Sequence, residues 1–128
     1  FIAGGVGITP IMSMLRTLAD RGDPRPLTLI YANKDWDSVI FREELDDLQG
    51  RLNLKVVHVL QNPPEGWQGE KGFVSQAVLH QHLPADRQRN LMEVFICGPQ
   101  PMMNAIEQAL SNLGVSFGDF HSERFNLV

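Results

Sequence analysis

The chain has 128 residues, 43% of them hydrophobic and 20% charged, with a formal net charge of −4 and a single cysteine. This is the size and composition of one globular domain; it excludes a disulfide scaffold, a disordered segment and a basic nucleic-acid-binding surface. No apolar run approaches a membrane span and no signal-peptide pattern opens the chain, so the cytoplasm is the expected compartment.

Phe1-Ile2-Ala3 reads as the end of a buried strand and runs straight into Gly4-Gly5-Val6-Gly7-Ile8-Thr9-Pro10. Glycines let the backbone turn sharply and let an anion approach the N–H groups without a Cβ in the way. Thr9 is the expected N-cap of the helix that follows, and Pro10 suits the first helical position, where its missing N–H would have no partner. A helix starting there points its positive end at whatever lies over the turn, which favours a phosphate. The same stretch also reads as an ordinary strand-to-helix turn. A central strand needs about five or six residues, so the three-residue start and the absence of an initiator Met predict a piece of a longer protein.

Ile8, Ile11, Met12, Leu15, Leu18 and Ala19 repeat at helical spacing until Arg21-Gly22-Asp23-Pro24. Leu27 to Ala32 is a nearly continuous apolar run, the pattern of a strand covered on both faces. Phe41 to Leu48 predicts a second helix, and Lys55 to Leu60 the next strand. A Pro- and Gly-rich loop from Gln61 to Gly72 follows, with Trp67 expected to pin it. Ser75 is placed to cap a third helix ending at Leu83-Pro84; Leu91 to Cys97 predicts a strand, and Gly98-Pro99-Gln100-Pro101 a fourth helix closed by Gly114 in a left-handed cap. Val115 to Phe120 is the expected last strand. Strict alternation of strand and helix predicts an α/β fold: three layers, doubly wound, with a mostly parallel five-stranded sheet and helices on both faces. In that architecture ligands bind at the carboxyl ends of the strands.

Two motifs fall at such ends, about ninety residues apart with a βα pattern between them: Gly4 to Pro10, and Cys97-Gly98-Pro99-Gln100-Pro101-Met102. With His121-Ser122-Glu123-Arg124-Phe125, and with Tyr31-Ala32-Asn33 and Phe41-Arg42-Glu43-Glu44-Leu45 between, the chain resembles the pyridine-nucleotide-binding domain of the ferredoxin–NADP reductase superfamily. The resemblance covers residues 1–128 and implies an FAD-binding barrel upstream in the same parent chain. It implies that Gly4, Gly5 and Gly7 form the pyrophosphate turn, with Thr9 near the nicotinamide and flavin and Pro10 beside them. It places Cys97 beside the nicotinamide, with Gly98 and Pro99 shaping the adjoining turn, and makes Glu123 the acidic residue near the hydride path. Phe125 takes the place of the aromatic that covers the flavin, although Asn126, Leu127 and Val128 follow it where the simplest pattern ends on the aromatic.

On residue type alone, Cys97 reads as core filler, Glu123 as a solvated carboxylate and Phe125 as a packing anchor. His58, His80, His82 and His121 lack metal-ligand spacing, so no metal site is expected. In the resembling family the residue just after the third strand separates NADH from NADPH. Here it is the neutral Gln61, with Lys34 the other side chain able to reach the ribose, and the balance leans to NADH.

The implied function is the nucleotide-binding half of a flavin-dependent NAD(P)H oxidoreductase. Hydride passes from NAD(P)H to FAD, then electrons pass to an iron–sulfur, haem or ferric acceptor. A membrane enters only through other parts of the parent, which would put this domain on a cytoplasmic face. The rival from another class is a dinucleotide-sensing or regulatory module without electron transfer; a hydrolase using Cys97 is a third reading.

Overall fold

The computed structural model describes residues 1–84, 92–116 and 120–125, the last segment as backbone apart from the His121 side chain. In chain order the elements are β1 (Ile2–Gly4), a 3-10 turn (Gly5–Gly7), α1 (Ile8–Asp20), β2 (Leu27–Asn33), a second 3-10 turn (Trp36–Ser38) and α2 (Arg42–Arg51). There follow β3 (Leu54–Leu60), β4 (Glu70–Lys71), α3 (Gln76–His82), β5 (Val94–Pro99), α4 (Gln100–Asn112) and β6 (Phe120–Phe125). All strands pair in parallel in the order β4-β3-β2-β1-β5-β6.

The sheet is buried between two helical layers because successive strand residues point to opposite faces. Ile2, Ile30, Val57, Val59 and Ile96 pack with Val78, Leu79, Met103, Ile106 and Leu110 of α3 and α4. Ala3, Leu29, Tyr31 and Cys97 pack on the other face with Ile8, Ile11, Met12 and Leu15 of α1 and Leu45 and Leu48 of α2. The chain walks outward from β1 through β2 and β3 to β4, then returns to β5 on the other side of β1. Right-handed crossovers require the helices to change face when the direction reverses. The β1/β5 junction is therefore a topological switch point, the place where doubly wound sheets open a crevice.

Several local expectations hold. The Ser75 hydroxyl accepts from the Val78 N–H as an N-cap. Gly114 has φ +86, and the Gly114 and Val115 N–H groups close α4 on the carbonyls of Ser111 and Leu110, with Val115 buried against the core. This pairing of bonds needs a left-handed residue after the helix, which glycine adopts without cost. Trp67 does pin its loop: its indole donates to the Glu70 carbonyl at 3.0 Å and its ring packs 5.5 Å from that of Trp36.

Three local expectations are corrected. Thr9 is not the N-cap of α1; that position is Gly7, and no side chain makes a cap bond. Gly7 and Ile8 both have helical dihedrals, so the 3-10 turn winds directly into α1 and leaves no extended residue to serve as a side-chain cap. The five expected parallel strands are joined by a sixth, the two-residue β4, inside the stretch read as loop. The last strand is Phe120–Phe125 rather than Val115 to Phe120, because Val115 is used to close the end of α4; residues 117–119 of that expectation, and Leu91 of the strand before α4, lie outside the described residues.

His58 on β3 lies 5.2 Å from the ring of Trp36 and 5.9 Å from that of Tyr31. Burial lowers its pKa from the ordinary 6.5; Asp46 opposes this and Arg42 adds to it. The unfolded chain therefore takes a proton that the folded chain refuses, so stability is lost as pH falls below 6.5. Thermal melts should show a smaller drop between neutral and mildly acid pH in His58→Phe than in the native sequence. Equal drops would mean that other groups set the acid sensitivity.

Candidate functional site

A cleft of about 660 Å³ opens at the carboxyl ends of β1, β2, β3 and β5, across the switch point. Its floor is the glycine turn after β1, and each glycine has its own reason to be there. Gly5 has φ +54, a left-handed conformation that side chains rarely adopt, and no atom stands within 4 Å of where its Cβ would lie. The space above it is open, and the residue is exposed. Gly7 is buried against β5, where a Cβ would overlap the carbonyl of Cys97 and crowd the Gly98 nitrogen. Gly4 is packed under Met102, whose sulfur a Cβ would displace. One glycine thus supplies a free surface and two supply close packing.

Gly7 brings no side-chain cap to α1, and the first N–H of the helix, that of Ile8, donates back to the Gly5 and Val6 carbonyls of the 3-10 turn. A helix start with a glycine turn in front of it suits a phosphate electrostatically and sterically. Thr9 is exposed in that first turn, and Pro10 is the third residue of α1 rather than the first as expected, because the helix begins two residues earlier at Ile8; a missing N–H still costs nothing there.

The rest of the cleft wall is apolar at its rim. The three large hydrophobic side chains left exposed among the described residues, Val6 (59%), Ile40 (43%) and Phe73 (72%), all line this cleft. Ile40 is held in place by the buried Tyr31 hydroxyl, which accepts from the Ile40 N–H at 3.3 Å and lies 3.5 Å from its carbonyl. An exposed phenylalanine beside two aliphatic side chains makes a surface for a flat ring. At the strand ends, the Gln61 N–H donates to the Asn33 carbonyl and the Asn62 N–H to the Lys34 carbonyl. Gln61 and Lys34 thus stand side by side on one wall, and among the described residues no carboxylate lines the cleft.

The residues picked out in the sequence divide between two places. Gly4, Gly5, Gln61 and Pro99 line the cleft, while Gly7 and Gly98 are buried beneath it at the β1/β5 contact. Pro10 and Cys97 line a smaller cavity of about 280 Å³ on the α1 side, with Phe95 and His121. Cys97 is 3% exposed and does not line the large cleft. Glu123 pairs in register with Cys97 and Phe125 with Pro99; the side chains of both lie outside the described residues. The sheet therefore does bring the second and third motifs next to one another at the strand ends. Val6, Ile40 and Phe73 were not singled out as site residues in the sequence. Phe73 carried a signal only in retrospect: an aromatic directly after the turn glycine Gly72, which has φ +87.

The family model for the oxidoreductase NAD-binding domain matches residues 1–108. NADH-cytochrome b5 reductase 1 of Bos taurus is 42% identical over 119 residues, which are 90% of this chain and 38% of that protein. The cytochrome b5 reductase domain of Ulva prolifera nitrate reductase superposes with a TM-score of 0.83 at 26% identity, covering 95% of this chain and 46% of that one. The CS-b5R domains of human Ncb5or, solved in an NAD+ form, give 0.81 at 32% identity over 94% of this chain and 35% of that one. The chain thus spans less than half the length of each of these three relatives. The chain belongs to the oxidoreductase NAD-binding domain family, with the architecture of the ferredoxin–NADP reductase-like flavoproteins.

Proposed function

We propose that this domain binds NADH in the strand-end cleft and delivers it to an FAD held by another domain of the parent protein, with electrons passing on to a haem acceptor of the cytochrome b5 kind. The observation that carries the reading is the coincidence, in one cleft, of an open left-handed Gly5, in the turn that winds into α1, and three exposed apolar side chains. A dinucleotide needs these features: a place for two phosphates and a place for a base.

The dinucleotide and the flavin supply the hydride chemistry itself. The chain's contribution is placement. Backbone N–H groups of the Gly5–Gly7 turn and the start of α1 hold the pyrophosphate, and Gly5 lets it approach. Phe73, Val6 and Ile40 shield the base from water. Gln61 and Lys34 face the ribose. Cys97 forms the wall for the nicotinamide from the α1 side, where Phe1, Phe95 and His121 stack ring on ring at 5.5 and 4.6 Å. The FAD domain covers that flank, and Glu123, Phe125 and Thr9 take the positions that the family resemblance gives them near the flavin.

Cofactor choice tests the ribose end. In the full-length reductase, Gln61→Asp should disfavour NADPH by setting like charge near its 2′-phosphate, and Gln61→Arg should favour it. The shift in the NADH/NADPH ratio of kcat/KM should be about tenfold in each direction, equivalent to ~1.4 kcal/mol. A ratio that moves with neither change would put the adenosine ribose elsewhere. Cys97→Ala tests the nicotinamide end: flavin reduction in stopped flow should slow while the NADH dissociation constant stays nearly fixed, because only the reacting geometry is loosened. A lower melting temperature with an unchanged reduction rate would instead make Cys97 core filler.

A further inference from the structure

A second cluster of ionisable groups lies outside the cleft, at the sheet edge. His82, the last residue of α3, has a side chain only 9% exposed. Its Nε2 is 3.0 Å from Glu70 Oε1, and its Nδ1 is 3.1 Å from the Lys55 ammonium. An ammonium has only protons to offer, so Nδ1 accepts and the ring proton sits on Nε2, which donates to the Glu70 carboxylate. One imidazole thus bridges Lys55 on β3, Glu70 on β4 and the end of α3.

The position of this bridge gives it a consequence for the cleft. β4 has two residues and only two register pairs with β3, too few to hold itself firmly. Between β4 and the cap of α3 lie three residues, Gly72, Phe73 and Val74, all of which line the cleft. Gly72 is left-handed, and its N–H donates to the Leu60 carbonyl at 2.8 Å. The Glu70–His82 bond spans this bend from one arm to the far end of the other, as a brace across a hinge.

We propose that His82 is a positioning residue: by bracing β4 against α3 it fixes Phe73, the exposed aromatic lip of the cleft, in the place where the nucleotide base is received. The inference rests on the reading of the cleft as the dinucleotide site. Removing the brace lets the lip move, so binding weakens while the reacting ends, at the glycine turn and Cys97, keep their geometry.

The test uses the full-length reductase with NADH. His82→Leu should raise KM and the NADH dissociation constant about tenfold with kcat within about twofold, the pattern of lost binding rather than lost transition-state stabilisation. His82→Gln, whose amide still donates to Glu70, should recover most of the loss. Phe73→Ala should weaken binding by itself, and adding His82→Leu to it should cost little more, because both act through one side chain. Glu70→Ala provides the same test from the partner's side should His82→Leu fold poorly. A lower melting temperature with unchanged KM in His82→Leu or Glu70→Ala, or losses that multiply with Phe73→Ala, would overturn the brace while leaving the cleft assignment standing. Unchanged binding in Phe73→Ala together with Gly5→Val would overturn the cleft reading and the brace with it.

Discussion

Gly7→Ala is expected to destabilise the protein by about 3 kcal/mol or more, beyond the usual range for an overpacked site. The reason is what the new methyl meets. A Cβ on Gly7 would overlap the carbonyl oxygen and carbon of Cys97 and press on the Gly98 nitrogen. These are backbone atoms of β5, fixed by pairing with β1 on one side and β6 on the other. No rotamer change relieves such a clash; β1 and β5 would have to separate at the centre of the sheet. Melting of the full-length protein should drop by roughly 10 °C or more for a domain of this size. Gly50→Ala is the internal control: Gly50 is exposed within α2, its Cβ would meet nothing within 4 Å, and alanine there should stabilise by up to about 1 kcal/mol. A Gly7→Ala protein melting as the native one does would show that the glycine is not required by packing.

Gly5→Val should leave most of the fold standing and remove the nucleotide. At φ +54 a branched side chain is strained by about 1–2 kcal/mol, a loss confined to a surface turn. Its Cβ and methyls project into the open space above the turn, the space proposed for the pyrophosphate. The NADH dissociation constant by calorimetry should rise at least tenfold, the equivalent of ~1.4 kcal/mol, in a protein whose melting is only modestly lowered. Gly5→Ala, with the strain but a single methyl, should fall between. Native-like affinity in a folded Gly5→Val protein would remove the pyrophosphate assignment. The two substitutions separate the positions within one motif: Gly7 is packed against β5, and Gly5 stands open where the pyrophosphate is proposed to lie.

The distinction between those glycines could not be read from the sequence, where Gly4, Gly5 and Gly7 form a single cluster. It depends on β5, more than eighty residues away, lying against Gly7 and on nothing lying against Gly5. Much else was local and so was legible. A nearly continuous apolar run marked β2 because a central parallel strand is covered on both faces. Ser75 and Gly114 marked helix ends because a cap bond and a left-handed φ are properties of a few neighbouring residues. The two strand-end motifs fixed the family because their spacing carries the topology with it.

What escaped the sequence was held by partners distant along the chain. The two residues of β4 have no pattern of their own; they are strand because Leu60 accepts from Gly72, Trp67 holds the Glu70 carbonyl and His82 holds its carboxylate. β6 has a polar sequence, His121-Ser122-Glu123-Arg124, and is recognised as a strand only by its six register pairs with β5. Thr9 looked like a cap because threonine prefers caps, but Gly5–Gly7 was already turning as a helix. Phe73 became part of the site only when the fold left it exposed on the cleft. The sequence by itself determined the alternating architecture and the family, since these rest on local propensity and motif spacing. Only the tertiary structure decided which glycine stands open to the cleft, which aromatic is left exposed on its rim and which histidine is tied to Glu70, since each depends on contacts that exist only once the sheet is assembled.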